Sequence, residues 1–420
     1  EAQKIEAHLR ARRVSFPALA VRTGRLDGTI ILEEGRTTLD GSVDARGLEM
    51  SGITLARLTA NAKLVNGSGQ VRALLAGRRG AAFEFSTLAN VSPDRIRLTG
   101  QGSIERRPLV LNQAAVLTRS GDAWELAPTS VSFAGGRAIL SGRSGSRPEV
   151  HAHLQSMPLE ILDLGWPNLD LSGVASGRLD YAWKGNRSGR ADLKIRGLSR
   201  AGLVLASKPI DVGLAAVVSG NQAAMRAVAV SGGETIGRAQ ARFAPIGGGD
   251  LLAELFDAPL FAQLRYARPA GTLWRLSGTE LFDLTGPVAI GADIGGRLVE
   301  ATIRGSVRSA NARLESPVTG TLIEKLQVDG RFNGSRLIFN RLAGTTSGGG
   351  AIEGSGSVDF SGGAAALNLS FNARQALLLN RHDLAARVTG PIRIRSDGRM
   401  GTIGGDLRLN DGRFTLGQAS

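Results

Sequence analysis

The chain has 420 residues, of which 42% are hydrophobic, 57 are glycine and only 5% are aromatic, and its formal net charge is +14. It contains no cysteine, which excludes disulfides, cysteine-bound zinc and thiol catalysis. Apolar runs such as residues 212–218 are far shorter than the about eighteen apolar residues of a membrane-spanning helix. A glycine-rich chain with many Val, Leu, Ile and Thr residues predicts short strands joined by tight turns.

The positive charge is carried almost entirely by arginine. The arginines are scattered singly, as in residues 392–396, and the one dense run is Arg10, Arg12 and Arg13. A single-stranded nucleic acid needs aromatic stacking platforms within the basic surface, and aromatic residues are scarce in this chain. We therefore expect no nucleic-acid partner, and instead a solvated, arginine-bearing sheet face near anionic headgroups.

In chain order, the sequence predicts one elongated unit of five segments. Residues 1–156 are a β-rich segment that begins with a short helix, because EAQKIEAHLRARR is rich in helix formers. Residues 157–167 form a short helix and residues 168–249 return to strands. Residues 250–266 form an amphipathic helix that Pro259 kinks or splits, and residues 267–420 are strands that continue the groove. We expect the helices to cap the apolar face of the sheet.

Alternation of apolar and polar residues predicts which side chains share a strand face. In 298–307 one face carries Val299, Ala301, Ile303 and Val307, and in 366–373 it carries Leu367, Leu369 and Phe371. Asp-Gly and Asn-Gly turns follow at roughly ten to fifteen residues, as in consecutive antiparallel strands. At about fourteen residues per strand and turn, the chain holds about thirty strands. Glycines inside strands, as in 350–358, indicate bulges and bending.

Residues with catalytic or metal-binding chemistry are sparse. His151 and His153 would project from one strand face, but no cysteine or carboxylate motif accompanies them at ligand spacing. The P-loop dipeptide Gly-Lys and the GxSxG elbow are absent. In SGGGAIEG (347–354) the third glycine comes one residue late for a dinucleotide loop, and a strand follows it. We expect no enzyme, no metal and no cofactor.

An apolar sheet face must be buried against something. A sandwich would need several domains, and an outer-membrane barrel would need girdles of Tyr and Trp. A closed β-solenoid remains a competitor. The fourth solution is an all-β, long, curled antiparallel sheet with a taco-like apolar groove. Acyl chains would fill this groove, since each buried CH₂ contributes roughly 0.8 kcal/mol.

Several phrases resemble the TamB family, the inner-membrane subunit of the translocation and assembly module of Gram-negative bacteria. They are the strand phrases of 271–344 and of 347–409, including DLAARVTGPIRI, and MPLEILDLGWPNLDLSGVASGRLDYAWKG at 157–185. The resemblance covers residues 150–420 well and 1–150 loosely. It implies a non-enzymatic β-trough that crosses the periplasm, relatives among bridge-like lipid-transfer proteins, and an N-terminal membrane-anchor helix. We expect this chain to be a fragment without that anchor helix and without the family's C-terminal end.

The resemblance further implies phospholipid acyl chains as ligands and an outer-membrane barrel of the TamA type as partner. Nascent outer-membrane proteins are a further expected partner. The predicted function is transfer of phospholipid between the inner and outer membranes, with support of outer-membrane protein assembly and secretion. The predicted groove-lining residues are Val299, Ile303, Leu326, Val328, Phe332, Leu337, Phe339, Leu367, Leu369, Phe371, Ile392, Ile394, Leu407, Leu409, Phe414 and Leu416.

Two alternatives remain open at the level of sequence. A chaperone-like module would offer sheet edges to nascent strands of outer-membrane proteins. A closed β-solenoid or adhesin would bury the same apolar residues in a dry core. The same apolar residues would contact lipid in an open groove or pack together in a closed core, so sequence alone does not separate these two roles.

Overall fold

The computed structural model describes residues 3–16, 19–50, 53–166, 169–200, 208–249, 251–276, 283–361, 366–397 and 400–415. In these ranges the chain forms 28 strands, two short α-helices and one 3-10 helix. The prediction of an all-β, antiparallel fold with few helices is therefore confirmed. By its internal contacts the chain divides into two units, Glu1–Ile195 and Arg196–Ser420.

The first unit is built from consecutive strands and one 3-10 helix, Leu159–Leu164. The strands are β1 (Gln3–Phe16), β2 (Leu19–Glu33), β3 (Arg36–Met50), β4 (Ile53–Val65), β5 (Ser68–Arg79), β6 (Ala81–Ser92), β7 (Arg95–Ile104), β8 (Arg107–Leu111), β9 (Ala115–Ser120), β10 (Ala123–Phe133), β11 (Gly136–Arg143), β12 (Glu149–Pro158) and β13 (Leu171–Trp183). The boundary between the units falls within β14 (Arg187–Arg200).

The second unit contains both α-helices, α1 (Leu251–Asp257) and α2 (Ala270–Leu276). Its strands are β15 (Ile210–Ser219), β16 (Gln222–Ser231), β17 (Glu234–Phe243), β18 (Leu260–Pro269), β19 (Asp283–Thr285), β20 (Pro287–Arg297), β21 (Glu300–Glu315), β22 (Leu322–Gly334), β23 (Arg336–Thr346), β24 (Ala351–Asp359), β25 (Ala366–Asn380), β26 (Leu384–Ser396), β27 (Gly401–Gly405) and β28 (Arg408–Phe414).

Cross-strand register separates the two faces of the first unit. One row of directly paired residues crosses twelve strands, and each member is apolar or glycine: Ile5, Ile30, Leu39, Leu64, Gly69, Val91, Ile96, Leu117, Leu126, Gly142, Val150 and Tyr181. The next row belongs to the opposite face and is polar: Glu6, Thr29, Asp40, Lys63, Gln70, Asn90 and Arg97. The alternation of each strand is thus preserved across the sheet.

The predicted N-terminal helix is wrong. Residues 3–16 form β1, which pairs with β2 from Gln3 opposite Leu32 to Phe16 opposite Leu19. Apolar and polar residues alternate strictly from Lys4 to Arg12. This period of two places one set of side chains on the apolar face, so pairing with β2 overrides the helix propensity of Glu, Ala, Lys and Arg.

The predicted helix over 250–266 is correct only in its first half. The helix α1 ends at Asp257, and Leu260 begins β18, which pairs with β17 and β20. Proline has no N–H to donate and clashes with the preceding turn, so Pro259 ends the helix instead of kinking it. The apolar residues after it also fit a period of two, and the neighbouring strands select that period.

The short helices cover parts of the apolar face. In the first unit, Ile161 and Leu164 of the 3-10 helix pack on a cluster that includes Phe133, which is fully buried. In the second unit, Leu273 of α2 packs against a cluster containing Tyr266, and α1 packs on another containing Phe243. The helices therefore contribute to local cores at the ends of strands, as the sequence predicts.

A line of irregular positions, which we call the crease, crosses β1 to β4. Regular alternation places one residue between successive positions on the apolar face, but here each strand has two. The pairs are Arg12 and Arg13, Arg22 and Thr23, Arg46 and Gly47, and Ala56 and Arg57. Arg13 and Gly47 have left-handed backbone, with φ of 51° and 59°. Such residues bend a strand and shift its alternation, and the apolar positions beyond the crease, Val14, Val21, Leu48 and Leu55, are half-buried or buried.

Candidate functional site

The apolar face of the second unit is organised in rows that run across the strands. One row crosses twelve strands from β15 to β27, and no charged side chain interrupts it. In order of pairing it consists of Val212, Ala229, Gly237, Tyr266, Ile290, Val307, Gly330, Phe339, Gly356, Leu369, Ile394 and Ile403. Both units thus carry an apolar row across twelve strands.

A second apolar row runs beside it, two residues further along each strand. It consists of Leu214, Ala227, Ala239, Leu264, Ala292, Gly305, Phe332, Leu337, Val358 and Leu367, and it ends at Ser396. On the other side a shorter row joins Val328, Leu342, Gly354, Phe371 and Ile392. Together the three rows form a continuous apolar surface several side chains wide.

Ten of the sixteen predicted lining residues share this face. Nine lie in the three rows, and the tenth, Ile303, pairs with Ile294 on the same face. The ten are Ile303, Val328, Phe332, Leu337, Phe339, Leu367, Leu369, Phe371, Ile392 and Ile394. Sequence alternation therefore assigned a common face to residues of five strands, β21, β22, β23, β25 and β26.

Burial distinguishes two parts of this surface. Ile392 is 8% exposed and Leu326, which pairs with Ala312, is 6% exposed, and both belong to one buried cluster. Phe339, Leu369 and most other members of the first two rows remain half-buried. Leu326 and Ile392 are therefore core residues, whereas the half-buried rows have surface left for a ligand.

The remaining five predicted lining residues lie outside the three rows. Val299 is 63% exposed in the loop between β20 and β21, because Arg297 pairs with Glu300 and leaves Leu298 and Val299 as a two-residue turn. The predicted strand start at Leu298 is therefore two residues early. Leu407, which lies between β27 and β28, and Leu409 and Phe414 of β28 are exposed. Leu409 pairs with Val388 and Phe414 with Leu384, on the same face of β26 as Ile392. Leu416 lies outside the described residues.

Glycines on this face make room for large side chains of the adjacent strand. A Cβ on Gly354 would lie 2.4 Å from Phe371 Cδ1, and a Cβ on Gly356 would lie 2.9 Å from Leu369 Cδ2. In the first unit, Gly102 has the same relation to Phe85. The predicted irregularity lies between β23 and β24, whose pairing shifts register opposite Gly354 and Gly356, whereas β24 and β25 pair without a shift. On the β25 side, these two glycines therefore need another explanation. Their role is close approach of a neighbouring side chain.

Sequence reasoning extended the groove over residues 1–156 but named no lining residue on the apolar face of the first unit. There, a row of small residues (Ala7, Gly28, Gly41 and Ala62) runs between larger aliphatic rows. The result is a depression of about 290 Å³ lined by residues such as Ile30, Leu39 and Val43. The sequence contained a signal for this depression, because glycine or alanine occupies the paired positions of the four consecutive strands β1 to β4.

The opposite face of the second unit is polar and arranged in ion pairs. One row joins Arg226, Gln240, Gln263, Asp293, Arg304, Asn333, Arg336 and Asp359. Arg336 Nε donates to Asp359 Oδ2 at 2.7 Å. This hydrogen bond, with others from Ser361 and Ser335, holds the pKa of the Asp359 carboxyl well below its ordinary value. The charged face is thus a solvated surface, opposite the uncharged apolar rows.

His151, one of the two histidines of the pair, contacts a carboxylate. His151 Nδ1 lies 2.8 Å from Asp180 Oδ1 on the neighbouring strand, and His8 makes the same contact with Asp27. Among the described residues, no group of His, Asp and Glu side chains is placed to hold a metal ion. In that same part of the chain, no helix combines the length and apolar character needed to cross a bilayer.

Comparison with known families adds one finding. Residues 340–420, which include most of the predicted lining residues, match a protein-family model. The match is to the TamB C-terminal domain. It confirms the TamB resemblance for this part of the chain and indicates involvement in the TamB translocation and assembly system. Neither a search of the curated proteins nor a search of the solved structures finds a match.

Proposed function

We propose that this chain is a non-enzymatic, lipid-conducting groove of the periplasm, which carries phospholipid between the inner and outer membranes and supports outer-membrane protein assembly. The proposal rests above all on the twelve-residue apolar rows, in which no charged side chain occurs. A hydrocarbon chain can move along such a surface without leaving apolar contact. The TamB match supports the proposal, because TamB proteins are transport and assembly components that work with TamA-type barrels.

Acyl chains are the occupants best suited to these rows. Adjacent strands lie about 4.8 Å apart, so a chain laid along a row crosses one strand after another at nearly constant depth. Each CH₂ removed from water contributes roughly 0.8 kcal/mol. The depression over Gly28 and Gly41 is lined mostly by aliphatic side chains and glycine, which favours a hydrocarbon over a polar ligand. Headgroups would remain at the solvent edge.

The proposal is tested by mass spectrometry of lipids that co-purify with the chain after gentle extraction from a periplasm. Several phospholipids per chain are expected, and their number measures the continuous length of the groove. A well-folded, lipid-free protein would instead favour a closed β-solenoid and contradict lipid conduction.

A charge on the apolar face gives the sharper version of this test. Leu369→Glu or Ile394→Glu should lower bound phospholipid and slow lipid transfer between vesicles, since both side chains are half-buried in the uninterrupted row. Ser370→Glu is the matched control, on the same strand and the opposite face. Equal loss in all three variants, or global unfolding of the first two, would count against an open groove.

A second candidate function has one observation in its favour. All residues of β27 and β28 are exposed, and both strands pair only with β26 in the described part of the chain. Exposed strand edges can pair with an incoming strand, so a chaperone-like role toward outer-membrane proteins remains the alternative. Binding of unfolded β-strand peptides by lipid-free protein, abolished by proline substitutions in β28, would support it.

A further inference from the structure

The crease of β1 to β4 carries an unusual concentration of arginine. Its four strands provide two crease positions each, and arginine occupies five of these eight: Arg12, Arg13, Arg22, Arg46 and Arg57. All five are exposed. Arg12, Arg46 and Arg57 belong to one cross-strand row together with Thr23. We call the five the crease arginines.

The crease arginines have no carboxylate partners within the part of the chain that the structure describes. Asp44, two residues before Arg46, accepts a hydrogen bond from Thr59 Oγ1 at 3.2 Å. Asp27 is held by Arg25 and His8. Neither Asp44 nor Glu49, which lies two residues beyond Gly47, forms an ion pair with a crease arginine among the described residues. Five arginines thus accompany two nearby carboxylates, and the crease carries a net positive charge.

The cross-strand register of the crease arginines destabilises the sheet when no anion is bound to them. Arg46 and Arg57 are directly opposite one another on β3 and β4, and like charges in that position destabilise a sheet. In the second unit, the pairing of β22 with β23 shifts register between Glu324 and Gln327, and there Glu324 is the sequence neighbour of Lys325. Nearby on β23, Arg341 forms an ion pair with Glu353 at 3.4 Å. These irregular positions therefore lack a cluster like that of the crease. The bend itself consequently does not require arginine, which points to an external anion at the crease of β1 to β4.

We propose that the crease arginines are a docking surface for an anionic phospholipid bilayer. Guanidinium groups form paired hydrogen bonds with phosphate, and four strands at about 4.8 Å spacing spread them over roughly 14 Å. A bilayer surface accepts such an array without shape complementarity. A protein partner or a nucleic-acid strand usually meets aromatic anchors, and none of the eight crease positions is aromatic. Arg12, Arg46 and Arg57 lie in a row of the polar face, so the proposal does not depend on what fills the groove.

The test is flotation of the chain with intact vesicles of phosphatidylcholine, with and without about 30% phosphatidylglycerol. The wild-type chain should float only with the anionic vesicles, and more weakly at high salt. The variant Arg12→Gln/Arg46→Gln/Arg57→Gln should bind them on the order of 100-fold more weakly, roughly fivefold for each arginine.

The matched control is Arg265→Gln/Arg308→Gln/Arg341→Gln, which removes the same charge from exposed arginines that are paired with carboxylates. It should retain most of the affinity. The groove variant Leu369→Glu should float like the wild type. Equal loss in both triple variants, loss in the groove variant, or wild-type protein that ignores anionic vesicles would each overturn the proposal.

Discussion

At the scale of single residues, the apolar face depends on glycines that lack a Cβ where a neighbouring side chain lies close. Phe371 occupies the space beside Gly354, and Phe85 the space beside Gly102. Other glycines are required because their own backbone conformation, or a close backbone neighbour, leaves no room for a Cβ. Gly390 has φ of 140°, and a Cβ there would lie 2.2 Å from the carbonyl oxygen of Asp406. Both kinds explain how a glycine-rich sequence can form long, regular strands.

We expect Gly354→Ala to destabilise the second unit by about 1–3 kcal/mol, because the new methyl group would overlap the Phe371 ring. The control is Gly213→Ala on β15, where a Cβ would meet no atom within 4 Å. Gly213→Ala should be neutral or slightly stabilising, since alanine has less backbone freedom in the unfolded chain. Urea midpoints followed by circular dichroism check both. Similar midpoints for the two variants would refute the steric role of Gly354.

At the scale of elements, the 3-10 helix covers the core of the first unit and places a carboxylate beside it. Asp163 Oδ1 accepts a hydrogen bond from the backbone N–H of Asp170 at 3.2 Å. Burial, which outweighs that hydrogen bond, raises the pKa of the Asp163 carboxyl above its ordinary value. Because the folded pKa is the higher one, this group favours folding at low pH, and the advantage is lost as the pH rises through the folded pKa.

Asp163→Asn should therefore stabilise the first unit at pH 7 and give no gain at pH 3. The amide keeps an oxygen that accepts from Asp170 and removes the charge that burial disfavours. Asp122→Asn, in an exposed turn, is the control. The measurement is the urea midpoint of each variant at the two pH values. A gain at pH 3 as large as that at pH 7 would contradict the burial argument.

At the scale of the whole molecule, each unit has its own buried clusters. Phe133 lies in the cluster of the first unit, and Ile392 lies in one of the clusters of the second. Strands contact mainly their neighbours in sequence, as in repeat proteins, where stability is a sum of local terms. A core defect should accordingly be felt mostly within its own unit.

Phe133→Ala should cost about 3–5 kcal/mol and Ile392→Ala about 2–5 kcal/mol. Hydrogen exchange measured by mass spectrometry should rise within residues 1–195 for the first variant and within 196–420 for the second. Each variant serves as the control of the other. If one substitution accelerated exchange throughout the chain, the two units would form a single cooperative block.

Alternation allowed the strand faces to be predicted, and particular pairs confirm it. Leu369 lies opposite Ile394, and Phe371 lies opposite Ile392, all four on the predicted face. The errors arose where two periods fit the same residues. Residues 260–266 are compatible with a helical stripe, yet β17 and β20 flank them and select a strand. The turn at Val299 was missed because hairpin length depends on the partner strand.

The sequence by itself determined the strands, the turns and the apolar face of each strand, because side-chain alternation is a local property of extended backbone. It also placed two consecutive non-core residues at the crease on each of the strands β1 to β4. Only the tertiary structure decided that Ile392 is core while Leu369 stays half-buried, and that the crease arginines lie together without ion pairs to other described residues. Burial and charge compensation depend on which distant residues become neighbours, and cross-strand register sets those neighbours.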